Sequence, residues 1–289
     1  MSKKPKIIFI LGPTGVGKSE FAVKLAKKIK GEIISSDSMQ VYKNMGILSQ
    51  YPSLKLRRQV PHHLVGVLSP SKEWSAADFV ATAKKIAGDI IRRRRTPVIA
   101  GGTGLYARAF IEGLFIAPPK NEALRRKLYK EAEDKGNAKL YAKLKKIDPL
   151  YASKIHPNDT RRVVRALEVY KLTGKPFSAH HKETKGLKDN YAISIFILNR
   201  NREKLYDRIN KRVDKMFRCG VTKEVKRLRR FRLSKTAKAV LGFSEISAYL
   251  KGEATLEETK ELLKMNTRRY AKRQLTWFRR EKGALWKKL

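Results

Sequence analysis

The stretch IIFILGPTGVGKSE, residues 7–20, contains the spacing G-x-x-x-x-G-K-[ST]. Glycines in such a loop let successive backbone N–H groups face one anion, the lysine adds a mobile cation, and the serine hydroxyl can hold Mg²⁺. The spacing lies between an apolar run and an amphipathic segment, which is the strand–loop–helix context that a phosphate site needs. We therefore predict a phosphate-binding loop, here called the phosphate loop, made of Gly12, Pro13, Thr14, Gly15, Val16, Gly17, Lys18 and Ser19.

An ATP-binding loop is usually accompanied by an acid at the end of a later apolar strand. PVIAGG ends in glycines and IFILN ends in Asn199, so neither segment supplies that acid. Only EIISSD does, and its Asp37 belongs to the strand directly after the helix of the phosphate loop. An acid there suits a general base that deprotonates an attacking group. The alternative is that Asp37 caps the next short helix, and the two roles are compatible.

Predicted strands and helices alternate over the first hundred residues. Residues 6–11 form a buried strand, residues 18–30 a helix, and GEIISSD and TPVIAGG two further strands. Ser75 and Asp78 form a capping box at the start of another amphipathic helix. This alternation predicts an α/β fold with a parallel sheet of the P-loop NTPase type. Ligands then lie at the carboxyl ends of the strands.

The segment APPK, residues 117–120, interrupts the alternation. From there to about residue 188 the sequence has helical periodicity, broken by isolated glycines and prolines. We therefore expect a catalytic core made of residues 1–117 and 189–289, with residues 118–188 forming a helical insertion domain.

The second part of the core begins with a predicted strand, YAISIFILN, residues 191–199. From residue 202 to the end the periodicity is helical, and Thr255 with Glu258 forms a second capping box before a long helix. We expect a helical C-terminus.

The composition points to a polyanionic partner. The chain has 289 residues with 67 Lys and Arg against 26 Asp and Glu, which gives a formal net charge of +41. Such a charge is most easily tolerated when a polyanion is bound, although a generally lysine-rich proteome or anionic lipid are alternatives. The single cysteine, Cys219, excludes an internal disulfide and a cysteine-rich zinc site. The first apolar run is too short for a signal peptide or a membrane span, so we expect a cytoplasmic protein without a membrane partner.

Several stretches, taken in order along the chain, resemble the tRNA dimethylallyltransferases, also called isopentenyl-tRNA transferases. Each stretch is weakly specific, but the ordered set is highly specific and covers nearly the whole chain. The stretches are DSMQVY, VPHHL, SAADF, AGGTGLY, HPND with RRVVRALEV, TGKP, RINKRVDKM and TRRYAKRQLTWFRR.

The resemblance implies a reaction in which nothing is phosphorylated. Dimethylallyl diphosphate is the donor, and N6 of the adenosine 3′ of the anticodon attacks its allylic carbon, giving N6-isopentenyladenosine. The resemblance places the leaving pyrophosphate on the phosphate loop, with Lys18 and Ser19-bound Mg²⁺ balancing its charge. Asp37 then takes the proton of a weakly nucleophilic amine. The partners implied are dimethylallyl diphosphate and the anticodon stem-loop of tRNA, bound by a monomer.

The resemblance also implies binding residues. Arg208 and Arg212 would clamp pyrophosphate, with a solvated helix face as the alternative. Thr103 and the stretch 161–165 would contact tRNA. The alternatives are that Thr103 is only a turn residue and that the stretch 161–165 is a solvated helix face. The positions implied to contact tRNA are Asp37, Ser38, Met39, Gln40, Thr103, Arg125, Arg161, Arg162, Val163, Val164 and Arg165.

Two segments stand apart from these positions. Residues 223–238, here called the basic tract, hold eight Lys or Arg and one acid, Glu224, which is typical of a surface for RNA backbone. Tyr270, Trp277 and Phe278 are stacking candidates or core residues. After DSMQVYKNM the sequence continues as GILSQYPSL, where the family usually has D-I-G-T-A-K-P, which leaves substrate preference open.

Three other functions remain open from the sequence. An isopentenyltransferase acting on free AMP or ADP needs no basic tract and no full insertion. A P-loop kinase of a small acceptor would use ATP and Asp37, but the later stretches argue against it. A non-catalytic RNA-binding protein would leave Lys18, Ser19 and Asp37 unexplained.

Overall fold

The structure is a computed structural model that describes residues 4–115, 118–182, 186–187 and 189–289. The chain divides into two compact units. The first comprises Met1–Ile111 and Leu187–Leu289, and the second comprises Glu112–Gly186. Each unit is described by itself.

The described strands and helices are as follows. The strands are β1 (Lys6–Leu11), β2 (Gly31–Ser35), β3 (His62–His63), β4 (Thr96–Gly101), β5 (Ala192–Asn199) and β6 (Leu285–Lys288). The helices are α1 (Lys18–Lys28), α2 (Leu54–Arg57), α3 (Ala76–Arg92), α4 (Gly104–Glu112), α5 (Glu122–Lys135), α6 (Asn137–Ile147), α7 (Pro149–Ala152), α8 (Thr160–Thr173), α9 (Phe177–Lys182), α10 (Arg202–Arg218), α11 (Val221–Leu228), α12 (Lys235–Lys238), α13 (Phe243–Tyr249) and α14 (Leu256–Phe278).

The first unit is built on a six-stranded sheet in the order β3-β2-β4-β1-β5-β6. Every pairing is parallel, with Ile8 of β1 opposite Val98 of β4, and Ile33 of β2 also opposite Val98. Strand β1 is buried from Ile7 to Leu11 because helices cover both faces of the sheet. The parallel α/β prediction is confirmed, and β4 lies between β1 and β2, so their carboxyl ends share one edge.

Both predicted capping boxes are present. The Ser75 N–H donates to Asp78 Oδ2 at 2.8 Å and the Asp78 N–H donates to Ser75 Oγ at 3.2 Å, which starts α3. Thr255 and Glu258 make the same reciprocal pair at 2.8 and 3.2 Å at the start of α14. Such pairs satisfy N–H groups that the first helical turn leaves without partners. Helix α3 then buries its apolar face, including Phe79, beside the sheet.

The prediction that residues 202–289 are entirely helical is wrong at the end of the chain. Leu285–Lys288 forms β6, whose Leu285 pairs with Phe196 of β5. All four residues of β6 are exposed, so the alternating burial that identifies a strand in sequence is absent. The two-residue strand β3 was also missed, because it is too short to produce a periodic pattern. Two boundaries shift as well, since α1 ends at Lys28 and β2 ends at Ser35.

The second unit is helical, as its periodicity predicts. Helices α5 to α8 enclose an apolar core that includes Leu128, Leu140 and Leu167. Asp148 joins two segments of the unit, because its carboxylate accepts the Tyr151 N–H at 2.9 Å and the Ser178 N–H at 2.7 Å. Short helix α7 therefore has a fixed start, and α9 is tied to it.

Candidate active site

The phosphate loop joins β1 to α1. Gly12 has φ +147°, and a Cβ there would lie 2.6 Å from the Leu198 carbonyl oxygen, so only glycine fits. The Lys18 ammonium folds back over the loop and donates to the carbonyl oxygens of Gly12 at 3.0 Å and Pro13 at 2.8 Å. The loop is thus closed around its own lysine.

The electrostatic state of Lys18 reflects this enclosure. Burial of the ammonium lowers its pKa from 10.5 to about 8. Asp37 opposes this shift, Arg212 adds to it, and Glu20 opposes it more weakly. The side chain retains some surface toward the adjoining cavity, yet the protein around it removes most of its hydration. A bound anion would restore the charged form.

Two arginines of α10 reach the phosphate loop. Arg208 Nε donates to the Gly15 carbonyl oxygen at 3.0 Å, and Arg212 Nη1 donates to Thr14 Oγ1 at 3.2 Å. Arg212 also lines the cavity beside Lys18. Both side chains therefore lie against the loop rather than on a face turned only to solvent.

Asp37 follows β2 and faces the same cavity. Its Oδ1 accepts the Met39 N–H at 2.9 Å, which closes a turn over residues 37–39. The alternative that Asp37 caps a short helix is wrong, because turns follow it and the next described helix, α2, begins at Leu54. One carboxylate oxygen is thus committed to the backbone, while the group stays at the cavity wall.

The residues after Asp37 are held by neighbouring segments. The Ser38 N–H donates to Thr103 Oγ1 at 3.1 Å, so Thr103 of the GGTG turn contacts the Asp37–Gln40 segment directly. Gln40 Oε1 accepts the Ser35 hydroxyl at 2.9 Å, and Gln40 Nε2 donates to the Gln50 carbonyl oxygen at 2.9 Å. The side-chain amide of Gln40 is therefore fixed at both ends.

Gln274 of α14 connects the phosphate loop to the GGTG turn. Its Oε1 accepts the Thr14 N–H at 2.8 Å, and its Nε2 donates to the Gly102 carbonyl oxygen at 2.8 Å. A Cβ at Gly102 would lie 2.2 Å from Gln274 Nε2, and one at Gly104 would lie 2.2 Å from the Trp277 ring. The glycines of the turn are thus required by the close packing of α14.

Sequence reasoning missed the contribution of Gln274. The signal that could have identified it is the presence of a polar glutamine on the buried face of α14, within the stretch TRRYAKRQLTWFRR. Among the aromatic candidates of α14, Phe278 is fully buried, Trp277 packs against the core, and Tyr270 lines the cavity. The core assignment holds for Phe278 and Trp277.

These segments enclose one cavity of about 350 Å³ within the first unit. One end is polar and contains Lys18, Ser19, Asp37 and Arg212. A second part of the lining is apolar and comes from one hydrophobic cluster: Leu48, Val213, Met216, Val240, Leu241 and Leu263. Polar side chains, among them those of His62 and Arg273, line the cavity as well. A ligand with a charged end and a small hydrocarbon end matches this division.

The residues of the second unit that were predicted to contact tRNA differ in their exposure. Val163 and Val164 are 1% and 0% exposed and belong to the core of the unit, so their side chains contact protein and not RNA. Arg161 and Arg162 are exposed, and Arg162 pairs with Asp159 at 3.2 Å. The prediction took the stretch 161–165 whole, whereas the helix turns Val163 and Val164 toward the core and leaves Arg161 and Arg162 at the surface.

Arg165 and Arg125 are both half-buried. Arg165 donates to Glu168 at 2.6 Å and to the Pro118 carbonyl oxygen at 2.9 Å. The like-charge spacing of Arg161 and Arg165 therefore needs no phosphate to offset it, because the buried Glu168 carboxylate already pairs with Arg165.

Two classes of site receive no support from the described residues. No group of three or more His, Cys, Asp or Glu side chains there is arranged to hold a metal ion. Nor does any helix in that part of the chain combine the length and apolar character needed to cross a bilayer.

Family comparisons agree with this arrangement. The IPP transferase family matches residues 40–281, and the isopentenyl transferase family matches residues 5–56. A tRNA dimethylallyltransferase of Halothermothrix orenii is 50% identical over 97% of this chain and 86% of its own. One from Carboxydothermus hydrogenoformans is 47% identical over 97% of this chain and 91% of its own.

Solved structures are similar over the same extent. The tRNA isopentenylpyrophosphate transferase of Bacillus halodurans superposes with a TM-score of 0.72 at 42% identity, covering 99% of this chain and 90% of that one. A eukaryotic dimethylallyltransferase, described as acting on tRNA, gives a TM-score of 0.78 at 35% identity, covering 95% of this chain and 70% of that one. With this identity maintained over nearly its whole length, the chain belongs to the IPP transferase family, the family of the tRNA dimethylallyltransferases.

Proposed function

We propose that this enzyme transfers the dimethylallyl group of dimethylallyl diphosphate to N6 of the adenosine 3′ of the anticodon in tRNA. The observation that carries the proposal is the cavity in which the phosphate loop, the Asp37 carboxylate and a cluster of apolar side chains adjoin one another. The acid and the loop would also serve a kinase, whereas the apolar side chains beside them suit the dimethylallyl group of the donor.

The donor end of the cavity suits a diphosphate. Lys18 and Arg212 supply cations, and Arg208 fixes the loop at Gly15. The N-terminus of α1 adds backbone N–H groups and the positive end of the helix dipole. These groups stabilise the negative charge that grows on the leaving pyrophosphate.

A magnesium ion fits this end without a dedicated protein cage. The Ser19 hydroxyl lines the cavity at the first turn of α1, and Mg²⁺ commonly takes one or two protein oxygens together with phosphate oxygens and water. The ion would neutralise diphosphate charge, and Ser19 would hold it.

The acceptor end is assigned to Asp37 and Gln40. The lone pair of an adenine N6 amine is delocalised into the ring, so the amine becomes a competent nucleophile as it loses a proton. Asp37 receives that proton while the N6–C1 bond forms and the C1–O bond to pyrophosphate breaks. The adenine must first leave its stack to enter the cavity, and Ser38 to Gln40 would contact it there.

The basic tract suits the RNA backbone. Its eight cations are all exposed, and none forms a salt bridge with a carboxylate in the described part of the chain. Its apolar residues, including Val225 and Leu228, pack with Val41 and Tyr42, which follow the acceptor segment. Arg161, Arg162 and Arg125 of the second unit are further candidates for contacts with tRNA phosphates.

The test incubates the enzyme with unmodified tRNA and dimethylallyl diphosphate, and then analyses the nucleosides by mass. The proposal expects N6-isopentenyladenosine in the tRNA. Parallel reactions replace tRNA by AMP, or dimethylallyl diphosphate by ATP. Prenylation of AMP but not of tRNA, or phosphate transfer from ATP, would contradict the proposal.

A further inference from the structure

Glu224 is the only acid of the basic tract, and it points inward. It is 6% exposed, whereas the eight cations of the tract are all exposed. Its Oε2 accepts the Ile47 N–H at 3.0 Å and its Oε1 accepts the Leu48 N–H at 2.7 Å. The basic tract and GILSQYPSL, the segment that departs from the family's usual sequence, are thus joined by one carboxylate.

The segment that Glu224 holds forms part of the cavity. Leu48, Ser49 and Gln50 line it. The Gln50 carbonyl oxygen accepts the Gln40 side-chain amide at 2.9 Å. Gln40 in turn lies three residues after Asp37. A continuous set of contacts therefore leads from Glu224, through the backbone of residues 47–50, to the acceptor segment.

Burying a carboxylate at this position costs solvation free energy, which is offset only if the carboxylate makes contacts that a neutral side chain cannot make. Burial raises the pKa of Glu224 above its ordinary value, although the N–H groups of Ile47 and Leu48 and the charge of Arg227 oppose that shift. No Lys or Arg in the described part of the chain forms a salt bridge with it. A carboxylate offers two acceptor oxygens, whereas a glutamine offers one and would direct its NH₂ group at the second N–H.

We propose that Glu224 is a positioning residue for the acceptor: it fixes residues 46–50 so that Gln40 presents its amide to the adenine beside Asp37. The proposal rests on the function proposed above, because it requires an acceptor base at this wall. The phosphate loop receives none of these contacts, so the diphosphate-binding groups do not depend on Glu224. Of the apolar lining, Leu48 is held by Glu224 directly.

The test compares Glu224→Gln with Glu32→Gln. Glu32 is also fully buried, accepts hydrogen bonds from His63 at 2.7 Å and Arg93 at 3.0 Å, and does not line the cavity. Each variant is assayed at saturating donor with varied tRNA, and at saturating tRNA with varied dimethylallyl diphosphate. Melting temperatures are recorded for both.

For Glu224→Gln we expect kcat/KM for tRNA to fall about ten- to a hundredfold, the range set by losing one hydrogen bond to a charged group. The KM for dimethylallyl diphosphate should change several-fold less than that, because the phosphate loop has no contact with Glu224 and only Leu48 of the apolar lining does. For Glu32→Gln we expect a lower melting temperature with both KM values unchanged. A loss in Glu224→Gln that affects tRNA and donor equally, or no loss at all, would overturn the proposal.

A double-mutant cycle with Gln40→Ala tests the route of the effect. If Glu224 acts through Gln40, the losses in kcat/KM for tRNA should not add; additive losses would contradict the proposed route. Should Glu224→Gln not fold, Glu224→Asp keeps the charge but shortens the reach, and the same larger loss for tRNA than for the donor is expected. The wild-type enzyme is assayed alongside, because its failure to prenylate tRNA would reject the proposed function rather than the role of Glu224.

Discussion

The two ends of the cavity are built in different ways. The donor end consists mainly of consecutive residues, Gly12 to Ser19, whose backbone forms the phosphate loop. The acceptor end combines Asp37 and Gln40 with residues 46–50, which are held by Glu224 from a distant helix. The donor end is thus built on one local loop, to which Arg208, Arg212 and Gln274 are added from α10 and α14, whereas the acceptor end is assembled entirely by contacts between separate segments. Substitutions at the two ends should therefore separate donor use from acceptor use.

The largest difference between the effect on catalysis and the effect on donor binding is expected for Asp37→Asn. An amide cannot take the N6 proton, so kcat should fall about 10²- to 10⁴-fold, the usual contribution of a general base. Equilibrium binding of dimethylallyl diphosphate should stay near that of the wild type. Asp207→Asn, an exposed acid on α10, is the matched control and should keep full activity. Near-normal turnover by Asp37→Asn would remove the proposed base.

Lys18→Ala should impair the use of dimethylallyl diphosphate instead. Losing one preorganised cation at the leaving group should lower kcat/KM for dimethylallyl diphosphate about 10²- to 10³-fold. The affinity for tRNA in a filter-binding assay should be unchanged. Lys24→Ala removes an exposed lysine from the same helix and serves as the control. Unchanged donor kinetics in Lys18→Ala would exclude the phosphate loop from the reaction.

Gln274→Leu should affect both ends, since Gln274 bonds to Thr14 and to Gly102. The part-buried Thr14 N–H and the buried Gly102 carbonyl oxygen would lose their partner, which lowers the free energy of unfolding by about 1–3 kcal/mol. Urea denaturation measures this change. Gln59→Leu, at an exposed glutamine, should leave stability within about 0.5 kcal/mol of the wild type. Equal effects of the two variants would contradict the bridging role.

The smallest effect is a pH dependence at the donor end. The pKa of Lys18 is lowered to about 8, so the ammonium is present below that pH and is lost as the pH rises through it. We expect kcat/KM for dimethylallyl diphosphate, which reports on the free enzyme, to decline above about pH 8. Lys18→Arg should have no such decline between pH 8 and 10. A flat wild-type profile would contradict the assignment.

The same contrast explains which features could be predicted from sequence. The phosphate loop, the capping boxes and the amphipathic helix α3 depend on residues close together in the chain, and each was predicted. Gln274 and Glu224 act across 260 and 176 residues, respectively, when they reach Thr14 and Leu48. No local pattern encodes a partner at that separation. Strand β6 was not predicted for a related reason: it is defined by its pairing with β5 and not by a pattern in its own sequence.

The most direct measurement of the central claim is the stoichiometry of a single turnover. Enzyme preloaded with dimethylallyl diphosphate is mixed with tRNA and quenched at intervals, and pyrophosphate and N6-isopentenyladenosine are quantified together. If the enzyme transfers the dimethylallyl group directly from its diphosphate to adenosine, the two products appear at the same rate and in equal amounts, and no phosphate enters the RNA. Pyrophosphate released without prenylated adenosine, or phosphate incorporated into the tRNA, would contradict the account.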